Sequence, residues 1–161
     1  MPTVPAAIST ELAHFWHCKP FSALSAQELY RLLQLREAVF IIEQACIYPD
    51  LDGLDDRAWH LFCTDAEGHH LAGARCLPPG SAFAESSIGR VVTSPAIRGS
   101  GLGRELMQRA LAFNRRQWPG QEILIGAQAH LEAFYASLGF VPEGAPYDED
   151  GILHIHMRCT P

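Results

Sequence analysis

The sequence predicts an α/β fold in which a mixed, mostly antiparallel sheet carries helices on its faces. The first observation is a succession of strand, glycine-rich turn, helix and strand over residues 88–127, which favours a parallel strand pair with a right-handed crossover. The second is that β-like runs occur in hairpin-like pairs on either side of this segment, which favours antiparallel neighbours. The third is an amphipathic helix ahead of the first hairpin, which needs an apolar sheet face to pack against.

Length and composition limit the classes of protein to consider. The 161 residues suit one domain, 1–161, and residues 1–11 carry little pattern, so we expect a loose N-terminal extension there. A net charge of −6 without a basic stripe disfavours nucleic-acid binding. Five scattered cysteines without a Cys-x-x-Cys pair indicate neither a zinc site nor a disulfide framework. Signal-peptide and membrane-spanning patterns are absent from the sequence, so we expect a cytoplasmic protein that contacts no membrane.

The first half of the chain is predicted to hold three strands and one long helix. Ser25 and Glu28 form a capping box, and apolar residues then recur at helical spacing until the helix continues or breaks near Ile41 and Ile42. The predicted elements, in chain order, are a strand over 14–19, the helix from 26, an acidic loop over 43–56, and a hairpin over 58–64 and 71–77.

The second half is predicted to alternate strands and helices before a closing hairpin. Pro119 and Gly120 end the longer helix, and Gly139 ends the shorter one. The predicted elements are a strand over 88–93, a helix from 102 to about 118, a strand over 122–127, a helix over 128–138, and strands over 140–147 and 151–158 joined by the acidic turn 148–150.

The glycine-rich turn has the composition of a phosphate site. Glycines let backbone N–H groups approach a phosphate, the helix start adds the positive end of its dipole, and Arg98 adds a permanent cation. The turn lacks the Lys-Ser/Thr pair of a Walker A loop, and its glycines do not fit the dinucleotide spacing. Arg98, Gly101 and Gly103 instead fill the pattern Arg-x-x-Gly-x-Gly. The alternative is a glycine-rich turn that only starts a helix.

This pattern resembles the pyrophosphate-binding motif of the GNAT family of acetyl-CoA-dependent N-acetyltransferases. The segment Phe134-Tyr135-Ala-Ser-Leu-Gly139-Phe140 is similar to a second motif of that family, and the order of elements resembles its fold along nearly the whole chain. The blocks 29–40, 43–46, 50–53, 126–130 and 151–155 resemble the ElaA-type acetyltransferases. The chain departs from the family at Gln128, where many members carry asparagine. The resemblance implies a sheet with a splayed parallel pair.

The resemblance also implies acetyl-CoA as co-substrate and assigns residues to it. Its pyrophosphate is expected on the N–H groups of 99–103 beside Arg98, and its pantetheine arm is expected to pair with the strand edge at 91–93. A backbone N–H of that edge is expected to stabilise the oxyanion. The expected cofactor-binding residues are Val91, Val92, Thr93, Arg98, Gly99, Ser100, Gly101, Leu102, Gly103, Arg104, Gln128 and Tyr135.

The implied reaction needs an acid for the departing thiolate and a base for the incoming amine. Tyr135 matches the family's acid position, and a phenol near pKa 10 stays protonated at neutral pH. An aromatic side chain that only packs on its helix is the alternative. The base stays open among Glu43, His154, His60 and water relayed through such groups. His69-His70 and the pair His154 and His156 lack ligands at metal spacing, so we predict no metal.

The acceptor is less constrained than the cofactor. The acidic stretches 50–56 and 148–150 are either solvated loops or a negative rim that draws a cationic amine. The sequence therefore favours an N-acetyltransferase acting on a primary amine of a small molecule or peptide. The alternatives are a CoA-binding module without turnover and an interaction domain without cofactor. Family members often pair, so a homodimer is compatible, although no stretch of the sequence indicates an interface.

Overall fold

The computed structural model describes residues 13–161, and the expected loose extension over 1–11 lies outside the described residues. The first part of the chain builds an antiparallel sheet in the order β1-β2-β3-β4. Its strands are β1 (Phe15–Pro20), β2 (Trp59–Thr64), β3 (His70–Leu77) and β4 (Ser87–Thr93). The predicted first strand and hairpin are confirmed.

A second antiparallel sheet follows, in the order β5-β7-β6. Its strands are β5 (Ile123–Gln128), β6 (Val141–Glu149) and β7 (Ile152–Cys159). The two sheets meet at one parallel bridge between Ser86 and Ile123, where the Leu124 N–H donates to the Ser86 carbonyl at 3.0 Å. Within the described residues β4 and β5 share no ladder beyond this bridge, so their facing edges are free. The predicted mixed sheet with a splayed parallel pair is confirmed.

Helices cover both faces of the first sheet. Helix α1 (Ala26–Arg36) starts at Ser25, whose side chain forms the predicted capping box with Glu28. Helix α2 (Leu102–Gln117) follows the glycine-rich turn and buries Leu106, Met107 and Ala110. Val92 packs on residues that follow α1, whereas its neighbour Val91 packs on the core that α2 covers. Because neighbouring side chains of a strand point to opposite faces, α1 and α2 lie on opposite sides of β4.

Helix α1 does not break near Ile41 and Ile42. It continues as a π-helical segment, Glu37–Glu43, whose wider turns place Val39 and Phe40 on Val92. π-Helical turns are rare and occur frequently at functional sites. The segment ends two residues before Ala45, which has a left-handed φ of 49°.

Two predictions near the C-terminus were wrong in extent. The helix predicted over 128–138 is a 3₁₀ turn at Ala129–Leu131 followed by the short helix α3 (Glu132–Ala136). The acidic turn is shorter than predicted because Asp148 and Glu149 belong to β6, which leaves Asp150 and Gly151 to reverse the chain. No helix within residues 13–161 is long and apolar enough to cross a bilayer.

Candidate active site

The glycine-rich turn forms a crevice at the start of α2. Gly99 and Gly101 have φ values of 81° and 86°, in the left-handed region that favours glycine, and Gly101 is the N-cap of the helix. A Cβ added at either position would meet no atom within 4 Å beyond its chain neighbours, so backbone conformation rather than crowding favours glycine there. The crevice has a volume of about 310 Å³ and is lined by Thr93, Ile97, Arg98, Gly99, Gly101, Leu102, Gly103, Arg104 and Phe134. The Ser100 N–H donates to the Ile97 carbonyl and the Leu102 N–H to Ser100 Oγ. Within residues 13–161 the N–H groups of Gly103 and Arg104 have no protein acceptor, so they can donate to an anion.

Arg98 and Arg104 put two cations at this crevice, and both have partners. Arg98 forms an ion pair with Glu43 at 2.8 Å and also donates to the Thr93 carbonyl at 3.3 Å. Arg104 bonds the hydroxyl of Ser137 and lies 5.8 Å from the Phe134 ring centroid. Glu43, a predicted candidate base, therefore lies at this crevice with its carboxylate held by Arg98.

The free edge of β4 lies beside this crevice and carries a bulge. Gly73 pairs with Val92 and Arg75 pairs with Gly89, so Ala74 alone lies opposite both Arg90 and Val91. Arg90 has a φ of 49°, although it is not glycine. Val92 is buried, whereas Val91 and Thr93 are half-buried. A bulge of this kind bends the strand and interrupts its ladder, so it reorients the amides that follow it.

Tyr135, the predicted acid, is a core residue of α3 that is 6% exposed. Its ring packs edge-on against Phe134 and Phe140, with centroids 5.1 and 5.9 Å apart. Burial alone raises the pKa of Tyr135 to about 12. The phenol therefore stays protonated at neutral pH, as the role of proton donor requires.

Gln128 and His154 lie opposite each other at the end of β5. Gln128 donates through Nε2 to Oε1 of Gln44 at 3.3 Å, which ties β5 to the segment that follows α1. His154 Nδ1 lies 2.7 Å from the Ile152 carbonyl. Because a carbonyl only accepts, Nδ1 carries the proton. The other ring nitrogen, Nε2, lies 3.5 Å from the Glu149 carboxylate, and it is the acceptor nitrogen when the ring is neutral.

His60 lies in the protein interior and is not available as a general base. It is 1% exposed, and its Nε2 lies 2.8 Å from the Asp55 carbonyl. Burial lowers the pKa of His60, and the carbonyl of Asp55 fixes its ring. The histidine is a satisfied interior side chain beneath the loop that precedes β2.

Tyr147 and its neighbours were missed by the sequence analysis. The Tyr147 ring lies 5.9 Å from that of His154 and 4.6 Å from that of His156, and His156 contacts Phe83 edge-on at 5.5 Å. The Tyr147 hydroxyl occupies the space that a side chain at Gly126 would need, since an added Cβ would lie 2.8 Å from it. The alternation of His154 and His156 on one strand face is the sequence signal for this cluster.

Three carboxylates of the acidic loop, Asp50, Asp52 and Asp55, are paired with arginines, which corrects the interpretation of these three as a negative rim. Asp55 is buried, so it is not a solvated side chain either, whereas Asp52 stays exposed. Arg36 is 1% exposed and bonds both oxygens of Asp55, at 2.8 and 3.2 Å, as well as Asp50 at 2.8 Å. Arg75 bonds both oxygens of Asp52, at 2.7 and 2.8 Å.

Arg90 completes this network of three arginines and three aspartates. Its Nη2 donates to the Asp50 carbonyl at 2.9 Å and to Asp52 at 3.2 Å. Its Nε lies 2.7 Å from Asp50 Oδ1, within ion-pair distance although the N–H is not aimed at the oxygen. Formal charges cancel within the network. Burial alone would raise the pKa of Asp52, but the hydrogen bonds and charge of Arg75 outweigh it and hold this pKa well below its usual range.

The β2–β3 turn brings together three groups that the sequence analysis did not connect. One ligand atom each of Asp65, Glu67 and His69 lies within 4.8 Å of the others, so carboxylates do accompany His69. Asp65 already accepts the backbone N–H groups of Glu67 and His69, both at 2.9 Å, which is ordinary turn geometry. The absence of a metal site remains a prediction.

The geometry as a whole combines an anion crevice, a free strand edge and a group of proton carriers. Arg98 and Gly101 lie at one end of the gap between β4 and β5. Gln128 and His154 lie at the open end of β5. Because Ser86 and Ile123 bridge the starts of the two strands, both groups lie at the open end of the gap. This arrangement can bind an extended, anionic molecule that enters the gap along β4.

The family model and the sequence relatives that match this chain agree on one family. A model of the GNAT acetyltransferase domain matches residues 39–161. The UPF0039 protein sll0451 of Synechocystis sp. is 43% identical over 142 residues, which cover 88% of this chain and 92% of that protein. Protein ElaA of Escherichia coli is 40% identical over 151 residues, which cover 88% and 94%.

Solved structures agree with the sequence relatives. The crystal structure of an acyl-CoA N-acyltransferase from Pseudomonas aeruginosa is similar with a TM-score of 0.86 and 44% identity, covering 92% of this chain and 100% of that one. The structure of Escherichia coli ElaA is similar with a TM-score of 0.85 and 41% identity, covering 91% and 99%. The chain therefore belongs to the GNAT acetyltransferase family and, within it, to the ElaA-like group.

Proposed function

We propose that this protein transfers the acetyl group of acetyl-CoA to a primary amine of a small molecule or peptide. The observation that carries the proposal is the left-handed glycine turn at the start of α2, which opens beside the free edge of β4. The family supports acyl transfer in general, and the Pseudomonas aeruginosa relative is described as an acyl-CoA N-acyltransferase. We further infer that residues 1–161 act as one domain in the cytoplasm.

The crevice fits the diphosphate of CoA. Helix N-terminal amides and arginine are common ligands of phosphate, and both occur between Arg98 and Gly103. From there an extended pantetheine arm would run along the edge of Val91 to Thr93, where β4 lacks a partner strand within the described residues. Its amides would pair with the strand as an added strand does. This places the thioester in the gap between β4 and β5.

The proposed reaction is direct attack of a neutral amine on the thioester carbonyl. The nitrogen–carbon bond forms, a tetrahedral oxyanion develops near a β4 amide, and the carbon–sulfur bond then breaks to release the CoA thiolate. His154 accepts a proton from the ammonium through Nε2, directly or through water, and Glu149 at 3.5 Å stabilises the imidazolium that results. Tyr135 donates a proton to the thiolate, and the proton that the attacking nitrogen loses on forming the amide returns to the tyrosinate through water.

The experiment that tests the proposal follows thiol release from acetyl-CoA with a panel of primary amines. Amine-dependent release of one thiol per acetylated product supports the enzyme. Binding of acetyl-CoA without turnover across all amines supports the alternative, a CoA-binding module that senses or regulates. If saturating acetyl-CoA leaves the melting temperature unchanged, an interaction domain without cofactor is favoured instead.

Replacing Tyr135 with phenylalanine is expected to lower kcat by about 10²-fold, in the usual range for loss of a general acid. The dissociation constant of acetyl-CoA is expected to stay within about 3-fold, because the variant removes only a hydroxyl group. The checks are steady-state kinetics and calorimetric titration with CoA. Phe140→Leu, which alters the other ring packed on Tyr135 and does not line the crevice, controls for loss of packing. An unchanged kcat in Tyr135→Phe would take the acid role from this residue.

Replacing Glu43 with glutamine is expected to tighten CoA binding by about 3- to 5-fold, in line with the small free energy of exposed ion pairs. The Glu43 carboxylate forms an ion pair with Arg98 at 2.8 Å, so it competes with the diphosphate for this guanidinium. Titration with CoA at low and high salt measures the effect, which should shrink as salt screens the pair.

Glu37→Gln is the matched control for this variant. Glu37 is an exposed residue of the same π-helical segment. Its replacement with glutamine is therefore expected to leave CoA affinity unchanged. Weaker binding in Glu43→Gln would contradict the competition and make Glu43 part of the cofactor site. A kcat loss of more than about 10²-fold with tighter binding would restore Glu43 as a base.

A further inference from the structure

The strained backbone of Arg90 lies next to the strand edge at which the proposed chemistry occurs. Arg90 and Val91 together face Ala74 across the β3–β4 ladder, and Arg90 has a φ of 49°. Bulges with a left-handed first residue usually place glycine there. A non-glycine residue in this conformation persists only when its surroundings hold it, and such residues cluster at functional sites.

The Arg90 side chain is held by the acidic loop that precedes β2. Its guanidinium lies against Asp50 and Asp52, and it covers the Tyr48 ring at 5.6 Å. The Tyr48 hydroxyl donates to Asp50 Oδ1 at 3.0 Å, so the same carboxylate is fixed from two sides. These contacts tie the left-handed residue to a segment that lies 38 to 40 residues earlier in the chain.

The partners of Arg90 are themselves fixed. Asp50 is bonded by the buried Arg36, and Asp52 is bonded through both oxygens by Arg75. Arg75 is the residue of β3 that follows Ala74, so the network holds both strands next to the bulge. The contacts of Asp50 and Asp52 therefore link the acidic loop to the bulged part of β4.

We infer that Arg90 is a positioning residue that, through its ion pairs with Asp50 and Asp52, holds the β4 bulge in the conformation that aims a backbone amide of the free edge of β4 at the thioester. This inference rests on the proposed function. The bulge interrupts the ladder to β3 at Arg90 and Val91, so the direction of the amides that follow Arg90 depends on the dihedral angles of Arg90. The Arg90 guanidinium has no direct part in the reaction.

The test is a series of Arg90 variants ranked by how readily each residue adopts a left-handed backbone. Arg90→Gly, Arg90→Asn, Arg90→Ala and Arg90→Val all remove the same guanidinium, so differences among them report the backbone. We expect kcat to fall in the order glycine, asparagine, alanine, valine. The loss of kcat should be a few-fold with glycine and about 10²-fold with valine, which is the loss seen when an oxyanion donor is removed. The dissociation constant of CoA should stay within about 3-fold, because the diphosphate crevice lies elsewhere.

A control separates loss of positioning from loss of stability. Gly120, with a φ of 76°, lies in the turn after α2, and Gly120→Val introduces the same backbone strain far from the gap. It should lower the melting temperature while leaving kcat unchanged. Should Arg90→Val fail to fold, the ratio of kcat between Arg90→Asn and Arg90→Ala gives the same comparison.

Equal kcat losses in the glycine, asparagine and alanine variants would overturn the inference, because the guanidinium itself would then be required. A wild-type kcat in Arg90→Ala would overturn it as well. Failure of the proposed function looks different, since the wild-type protein would then show no amine-dependent thiol release or no CoA binding. The Asp52→Asn substitution provides the last check. It should lower kcat when it is made in the wild type, and it should lower kcat less when it is made in the Arg90→Gly variant.

Discussion

Replacing Gly101 with valine raises the dissociation constant of CoA by about 100-fold or more, which corresponds to at least about 2.7 kcal/mol of binding free energy. Gly101 has a φ of 86° and is the N-cap of α2, so its backbone sets the direction of the amides that open the helix. Valine is branched at Cβ and disfavours this conformation by about 1–3 kcal/mol. The turn therefore rearranges, and the amides no longer converge on the diphosphate. Calorimetric titration with CoA measures the change.

Gly80→Val is the matched control for Gly101→Val. Gly80 has a φ of 84° in the loop between β3 and β4, and, as at Gly101, an added Cβ would meet nothing within 4 Å. Both variants should lower stability by a similar amount, and only Gly101→Val should lose CoA. Wild-type affinity in Gly101→Val would remove the phosphate crevice from the proposal. Loss of affinity in both variants would attribute the effect to a general loosening of the fold.

Local patterns were enough to predict most of the fold. The capping box at Ser25 and the left-handed glycine at Gly101 mark helix starts that depend on a few neighbouring residues, and both are present in the structure. The order strand, helix, strand over β4, α2 and β5 predicted that the two strands run parallel and are joined by a crossover. The splay of these strands was expected only from the family resemblance, because no local pattern states where two parallel strands stop pairing.

The features that escaped prediction depend on contacts between distant segments. Arg36, Arg75 and Arg90 come from α1, β3 and β4, and no spacing in the sequence shows that they meet at one loop. The acidic composition of that loop therefore indicated surface charge, while the structure pairs its carboxylates. The bulge at Arg90 was not predicted either, because the residue there is not the glycine that usually marks a bulge of this kind. Tyr147 reaches Gly126 across β7, a contact that only the register of β6, β7 and β5 creates.

Replacing Arg36 with leucine is expected to destabilise the protein by about 3–5 kcal/mol, the usual cost of removing one partner from a buried ion pair. Arg36 is 1% exposed and bonds both oxygens of Asp55, so the variant leaves a buried carboxylate with only the longer contact of Arg75, at 3.3 Å. A loss of this size is a large part of the 5–15 kcal/mol that folded domains have in total. Urea unfolding at pH 7 measures it, with Arg109→Leu as control. Arg109 forms a surface pair with Glu105 at 2.9 Å and lies over Trp16, and its loss should cost about 1 kcal/mol or less.

The pH dependence of the same variant distinguishes a lost ion pair from lost packing. Burial alone would raise the pKa of Asp55, but the hydrogen bonds and charge of Arg36 outweigh it, with Arg75 adding to the effect, and lower this pKa in the folded protein. A carboxyl whose folded pKa is depressed adds stability above its unfolded pKa of about 3.9, and that stability is lost as the pH falls toward the folded pKa. Acid should therefore destabilise the wild type more than Arg36→Leu, and the gap between their unfolding free energies should narrow below about pH 4. If the gap stays constant in acid, the loss comes from packing of the Arg36 stem. If Arg36→Leu is as stable as Arg109→Leu at pH 7, the buried network is not a stabilising element of this fold.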